Sequence, residues 1–129
     1  GELLARADTS GLRDVDWRRQ LALPEPADQG RCNTCTSFAI AATIEAHWQI
    51  AHPRRPIAVS AGHIHTCLGH QGNTHAPTVC QFGIDIGAAL GLLQGHGIAT
   101  RVDGDYPFEP QRCHSTPVVR RLRTFASIT

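Results

Sequence analysis

Along residues 35–50 the apolar positions leave almost no polar face. Cys35, Phe38, Ala39, Ala42, Ala46 and Ile50 share one side of a helical wheel, and Ile40, Ala41, Ile44 and Trp48 fill most of the other. A helix apolar nearly all round is expected to lie buried at the centre of its domain. Pro53 stands just beyond its end, where a helix stops. Residues 21–31 hold two prolines followed by Asp-Gln-Gly and read as extended loop. Ser60 is placed to cap a short helix running to about Leu68. The stretch 69–83 is rich in Gly, His, Asn and Thr and reads as loop. A third helix is predicted over about 84–95, with Ile84, Ala88, Leu92 and Leu93 available for burial and Gly95 or Gly97 ending it. Residues 98–102 predict a short strand, and the tail 116–128 holds enough β-branched and apolar positions for another. Asp103-Gly104-Asp105 reads as a turn, and Tyr106-Pro107-Phe108-Glu109 as extended chain. Residues 1–14 carry little pattern and read as an arm or edge.

These elements fit 129 residues, one small domain's worth of chain, with neither an internal repeat nor a linker. At 41% hydrophobic residues the chain can bury a modest core and is too apolar to read as disordered. No apolar run approaches the length of a membrane span, and no signal-peptide core opens the sequence. A formal net charge of +1, carried by scattered arginines, argues against a nucleic-acid partner, because phosphate binding needs a clustered basic excess.

The candidate chemistry lies in the cysteines and histidines. There are five cysteines, Cys32, Cys35, Cys67, Cys80 and Cys113, an odd number. Four can form two disulfides in three connectivities, leaving one thiol over. The pair Cys32-x-x-Cys35 also has zinc-ligand or redox spacing, and a cluster of His63, His65, Cys67, His70 and His75 follows it. Yet no second Cys-x-x-Cys or His-x₃-His pair completes a zinc pattern, so neither metal nor cofactor is expected. The eight histidines sit mostly among loop residues and read first as solvated. Their full protonation would nonetheless add eight charges to the formal +1, favouring an anionic partner at low pH.

The stretch Asp28-Gln29-Gly30-Arg31-Cys32-Asn33-Thr34-Cys35-Thr36-Ser37-Phe38-Ala39 resembles the active-site segment of the papain-like cysteine peptidases. The likeness extends well beyond Cys-x-x-Cys. Val15-Asp16-Trp17-Arg18 is similar to the family's mature N-terminal segment. Ser60 to Cys67 resembles its second helix with its cysteine. Val79-Cys80-Gln81-Phe82-Gly83 falls where the family has Cys-Asn-Gly-Gly, and Tyr106-Pro107-Phe108-Glu109 with Cys113 resembles its Tyr-Pro-Tyr and following cysteine. Order and spacing agree over about residues 15–113. The fold implied is mainly α, the helical left-hand domain of an α+β family. Residues 1–129 are then one such domain, stapled by disulfides and with little strand.

The resemblance implies that Cys35 is the nucleophile and Gln29 the side-chain donor of the oxyanion hole, with the Cys35 backbone N–H as second donor. A thiol at a helix N-terminus is in a setting that favours its thiolate. The implied disulfides are Cys32–Cys80 and Cys67–Cys113, which leave Cys35 free and point to a secreted, periplasmic or otherwise oxidising compartment. Asn33, Thr34, Thr36, Phe82 and Gly83 are the candidate binding residues. Three of them depart from the family: Asn33 replaces a Gly, Thr36 a Trp, and Phe82 the first Gly of a pair that lets a peptide backbone approach.

In the family the catalytic His and Asn come from a second, mostly β domain, about 130–150 residues beyond the nucleophile. This sequence ends at Thr129, so that domain is expected to be absent from the chain. Of the local candidates His63, His65, His70, His75, His96 and His114, the resemblance places none opposite Cys35. The expectation is therefore a papain-like domain without peptidase activity in this form, binding a protein or peptide. The alternatives are a fragment of a peptidase or acyl transferase completed elsewhere, and, least favoured, a metal or redox module. The face that meets the β domain is expected to be open and apolar, covered by a partner, a second copy or a further domain.

Overall fold

The computed structural model describes residues 10–11, 13–101, 113, 118–120 and 123. The turn expected at 103–105, the extended stretch at 106–109 and most of the N-terminal arm lie outside them.

A 3-10 turn, Trp17–Arg19, opens the described chain. Asp16 caps it by accepting from the Arg18 backbone N–H and pairing with the Arg18 guanidinium. Extended chain then leads to α1, Cys35–Ala51. A helical stretch begins at Ala61 and continues as a π-helical segment, His63–Gly69, and the Ser60 hydroxyl caps it by accepting from the His63 N–H at 2.9 Å. Two further helices follow, α2 at Ala76–Gln81 and α3 at Ile86–His96. Asp85 caps α3 through the Ala88 N–H, and Gly97, at φ 90°, ends it in a conformation that disfavours other residues. Strands β1, Ile98–Ala99, and β2, Val118–Arg120, pair antiparallel, and Thr100 bridges to Val59.

Helix α2 corrects the expected loop at 69–83. Gly, Asn and Thr do occupy 69–74 as turn, but Ala76 and Pro77 stand at the first helical positions, where proline's missing N–H costs nothing. The carbonyl of His75 accepts from both Thr78 and Val79 and closes the first turn. A helix of six residues leaves too short a periodicity to read from sequence.

The core gathers Ile40 and Ala41 of α1, Val59, Ala61, Ile64 and Leu68, Ala89 and Leu93 of α3, and Ile98. The wheel of α1 needs a second correction. Its buried strip is Ser37, Ile40, Ala41, Glu45 and Gln49, three of them polar. Ala39, Ala42 and Ile50 are exposed, so α1 is one-sided among the described residues rather than enclosed. The three polar groups of this strip each find a hydrogen-bond partner, as buried polar groups generally do. Glu45 accepts from the Val59 N–H at 2.6 Å and from Arg101 at 2.9 Å, while Gln49 reaches the Ala22 carbonyl. The outer flank of α1 forms one wall of a groove of about 890 Å³, closed on the other sides by Leu23–Ala27, Ile57 and Arg101. No helix among the described residues is long and apolar enough to cross a membrane.

Candidate functional site

The site is built where extended chain turns into α1. Asp28 accepts from the Gly30 N–H at 2.8 Å, and Gly30 takes φ 63°, turning the chain toward the helix. Cys32 is buried and bonded to Cys80, and a second disulfide joins Cys67 to Cys113. These bridges close stretches 48 and 46 residues apart in sequence. Loops of that size lose enough unfolded-state entropy to stabilise the fold by about 4 kcal/mol each on the chain-entropy model.

The Cys32 carbonyl is the hub of the turn. It accepts from Gln29 Nε2 at 2.9 Å, from the Thr34 N–H at 2.8 Å and from the Thr34 hydroxyl at 3.3 Å. Gln29 is thereby held half-buried beside the helix start. Its amide nitrogen carries two hydrogens, so this bond leaves one to offer a ligand. Cys35 is the first residue of α1, exposed and free of any disulfide. The N-cap Thr34 makes no side-chain capping bond to α1, so its hydroxyl does not take up the first N–H groups at the positive end of the helix dipole.

The opposite edge is the segment after α2. The Asn33 N–H donates to the Cys80 carbonyl at 2.9 Å and its side-chain amide to the Gln81 carbonyl at 2.8 Å. Gly83 lies close to the Asn33 carbonyl. Phe82 is 57% exposed, its ring standing in solvent rather than in the core. The Cys32–Cys80 bridge thus holds Asn33 against the segment Gln81–Gly83, with Gln29 and Cys35 at the same turn. Thr34, expected among the binding residues, is instead fully buried, its hydroxyl turned to the Cys32 carbonyl, and offers a ligand no side-chain surface. Thr36 is half-buried one residue into α1, and Cys67 and Cys113 belong to the other bridge.

The histidines go elsewhere. His65 is fully buried between Ser37 and Val79, His70 bonds the Phe82 carbonyl, and His75 reaches the Thr78 hydroxyl. Burial first, and the nearby His96 second, lower the His63 pKa. Burial is also the main cause that lowers the pKa of His65, with the charge of His70 adding to it and the bond to Val79 opposing it. None of the seven described histidines hydrogen-bonds Cys35; His114 lies outside the described residues. No cluster of three or more His, Cys, Asp or Glu is placed to hold a metal ion among the described residues. The sequence reading missed Ser37 and Glu45 as organising groups. Their signal was a Ser and a Glu inside an otherwise apolar helix, a pattern that asks for a buried partner.

Comparison with known proteins identifies the arrangement. Residues 12–128 match the model of the papain family cysteine proteases, and the chain belongs to that family. It is 31% identical over 108 residues to cysteine proteinase B of Leishmania mexicana, covering 81% of this chain and 22% of that protein. It is 29% identical over 105 residues to a cathepsin L-like peptidase of Aedes aegypti, covering 80% and 29%. Among solved structures it resembles digestive procathepsin L 3 of Tenebrio molitor, with a TM-score of 0.58 and 24% identity, over 85% of this chain and 34% of that one. Helix-rich and with little strand among the described residues, the chain resembles the helical domain of that fold. The chain spans less than a third of the length of the Leishmania and Aedes relatives and about a third of the procathepsin.

Proposed function

We propose that this chain carries the nucleophile half of a papain-type peptidase cleft. Cys35 would attack a peptide carbonyl. Gln29 and the Cys35 backbone N–H would stabilise the oxyanion, and the surface from Asn33 to Phe82 and Gly83 would seat the peptide. The observation that carries the reading is the exposed free thiol at the first turn of α1, beside an amide donor fixed by the Cys32 carbonyl. The described residues supply no imidazole to take the thiol proton or return one to the leaving amine. On their own they bind and do not turn over, and hydrolysis needs a histidine from outside them. The groove along α1 is then the face for a further domain, a second copy or a protein partner. The two disulfides suit an oxidising compartment.

Acylation separates this from a purely binding domain, which the exposed ring of Phe82 in the cleft favours. An activated peptide ester should acylate Cys35, read as a mass adduct on that residue. Gln29→Ala should slow acylation by roughly 10²-fold. Iodoacetamide forms no oxyanion and should alkylate both proteins at the same rate, at one thiol per chain. Alkylation without acylation, or acylation indifferent to Gln29, would establish the binding domain instead.

A further inference from the structure

Helix α2 hands its last carbonyls to donors from elsewhere in the chain. The final four carbonyls of any α-helix have no partner within it. Here they belong to Val79, Cys80, Gln81 and the capping residue Phe82, whose own N–H closes the helix on the Thr78 carbonyl. His65 Nε2 lies 2.7 Å from the Val79 carbonyl oxygen. The Asn33 N–H donates to Cys80 at 2.9 Å, and the Asn33 side-chain amide donates to Gln81 at 2.8 Å. His70 Nε2 donates to Phe82 at 2.9 Å. His70 is itself fixed, because its N–H bonds the His65 carbonyl at 2.9 Å where the π-helical segment ends. Gly69 beside it lets the chain beyond Phe82 come close, since a methyl group there would run into the Ile84 side chain. Past these donors the chain is open. Phe82 is extended, at φ −109° and ψ 129°, with its ring in solvent. Gly83 is exposed, and its N–H and carbonyl make no hydrogen bond among the described residues. A Cβ on Gly83 would meet only the Asn33 carbonyl oxygen, at an ordinary 3.7 Å, so the fold does not demand glycine there.

We propose that His70 and Asn33 are positioning residues: by taking the Phe82 and Gln81 carbonyls they hold the Phe82–Gly83 backbone as a fixed extended edge for a peptide. The proposal rests on the cleft reading above. Without these donors the two carbonyls turn to water and the end of α2 frays. The edge must then be ordered when a ligand binds, and that ordering costs affinity. The Cys32–Cys80 bridge and the Asn33 N–H hold Cys80 in either case, which confines the loosening to the residues beyond it. Gln29 and Cys35 are set by the Cys32 carbonyl and the start of α1, so the loss falls on ligands long enough to reach the edge and not on the attack at the thiol.

The p-nitrophenyl esters of acetylglycine and of acetyl-Phe-Leu-glycine test this. They offer Cys35 the same glycyl carbonyl and differ in reaching the edge. For the longer ester, His70→Ala should raise the half-saturating concentration about three- to tenfold, the worth of one hydrogen bond, and leave the limiting rate of acylation unchanged. The shorter ester should react with it as before. His70→Gln carries an amide N–H at a similar reach and should restore the longer ester. Asn33→Ala removes the Gln81 bond and keeps the backbone bond to Cys80, and should weaken the longer ester in the same sense. Equal losses with both esters, a fall in the limiting rate alone, no loss in one of the two alanine variants, or no recovery in folded His70→Gln would each overturn the proposal. If neither ester acylates Cys35, the peptidase reading falls and the dissociation constant of acetyl-Phe-Leu-Gly amide, followed by NMR titration, decides the positioning. The same weakening in His70→Ala would uphold it; an unchanged constant, or no binding to the unaltered protein, would overturn it.

Discussion

Replacing Glu45 by alanine should be among the most damaging single changes to this fold, although Glu45 touches no candidate substrate. Its carboxylate is buried on α1 and holds two groups from the far side of the core: the Val59 N–H at 2.6 Å and the Arg101 guanidinium at 2.9 Å. Val59 is 1% exposed, so without Glu45 its N–H loses its acceptor where water does not reach. An orphaned buried donor costs about 1–3 kcal/mol. Arg101, 28% exposed at its side chain, loses a carboxylate partner as well. Breaking one side of such a buried pair brings the total to about 3–5 kcal/mol. Glu45→Gln separates the two contributions, because its carbonyl still accepts from Val59 while Arg101 loses the charge of the Glu45 carboxylate. Its cost should be about 1–2 kcal/mol. At roughly 4 °C per kcal/mol for a domain of this size, the alanine variant should melt about 12–20 °C lower and the glutamine variant about 4–8 °C lower. Urea unfolding with the disulfides intact, followed by the fluorescence of Trp48 on the same helix, measures both. Equal losses in the two variants would show that the ion pair and not the Val59 bond carries the effect. A loss under 1 kcal/mol for alanine would refute the reasoning altogether.

Two further predictions follow from the same packing. The fold holds His63 and His65 with lowered pKa values, so the unfolded chain takes up protons first as pH falls. Their contribution to stability is complete above about pH 6.5 and declines as pH drops through the folded-state values below it; the urea midpoint should therefore be lower at pH 5 than at pH 7.5, and an equal or higher midpoint would contradict this. Leu93 on α3 has no exposure and sits in the main core, so Leu93→Ala should cost about 2–5 kcal/mol with little change in the denaturant slope, measurable in the same titration.

Much of the site was legible because its chemistry is local. The start of α1 at Cys35, the Gln29 position six residues before it, and the stops at Pro53 and Gly97 depend on residues a few positions apart. Capping and backbone preference act over that range. Helix α3 was placed within two residues of its observed start for the same reason, with Asp85 in reach of Ala88. Local preference failed where a long-range partner decides. The six residues of α2 form a helix in a tract of turn-forming residues, anchored at Cys80 by its bridge to Cys32, 48 positions earlier. Ser37, Glu45 and Gln49 read as interruptions in an apolar wheel, yet they are its most buried polar positions. Each meets a partner 14 to 28 residues away.

The sequence by itself determined the family landmarks, the helical character, and a thiol at a helix N-terminus with an amide donor nearby, because these are matters of residue type and short spacing. It left the cysteine pairing at three connectivities by count alone, and it left the histidines mostly as solvated residues without a role. Only the tertiary structure decided that Cys32 and Cys80 clamp Asn33 against the Phe82 segment, and that α1 keeps one flank open. It also decided that His65 is a fully buried ring held between Ser37 and Val79. The physical reason is the same in each case. Burial and hydrogen-bond satisfaction are properties of surfaces brought together from distant parts of the chain, and a side chain's protonation state follows from the partners it finds there.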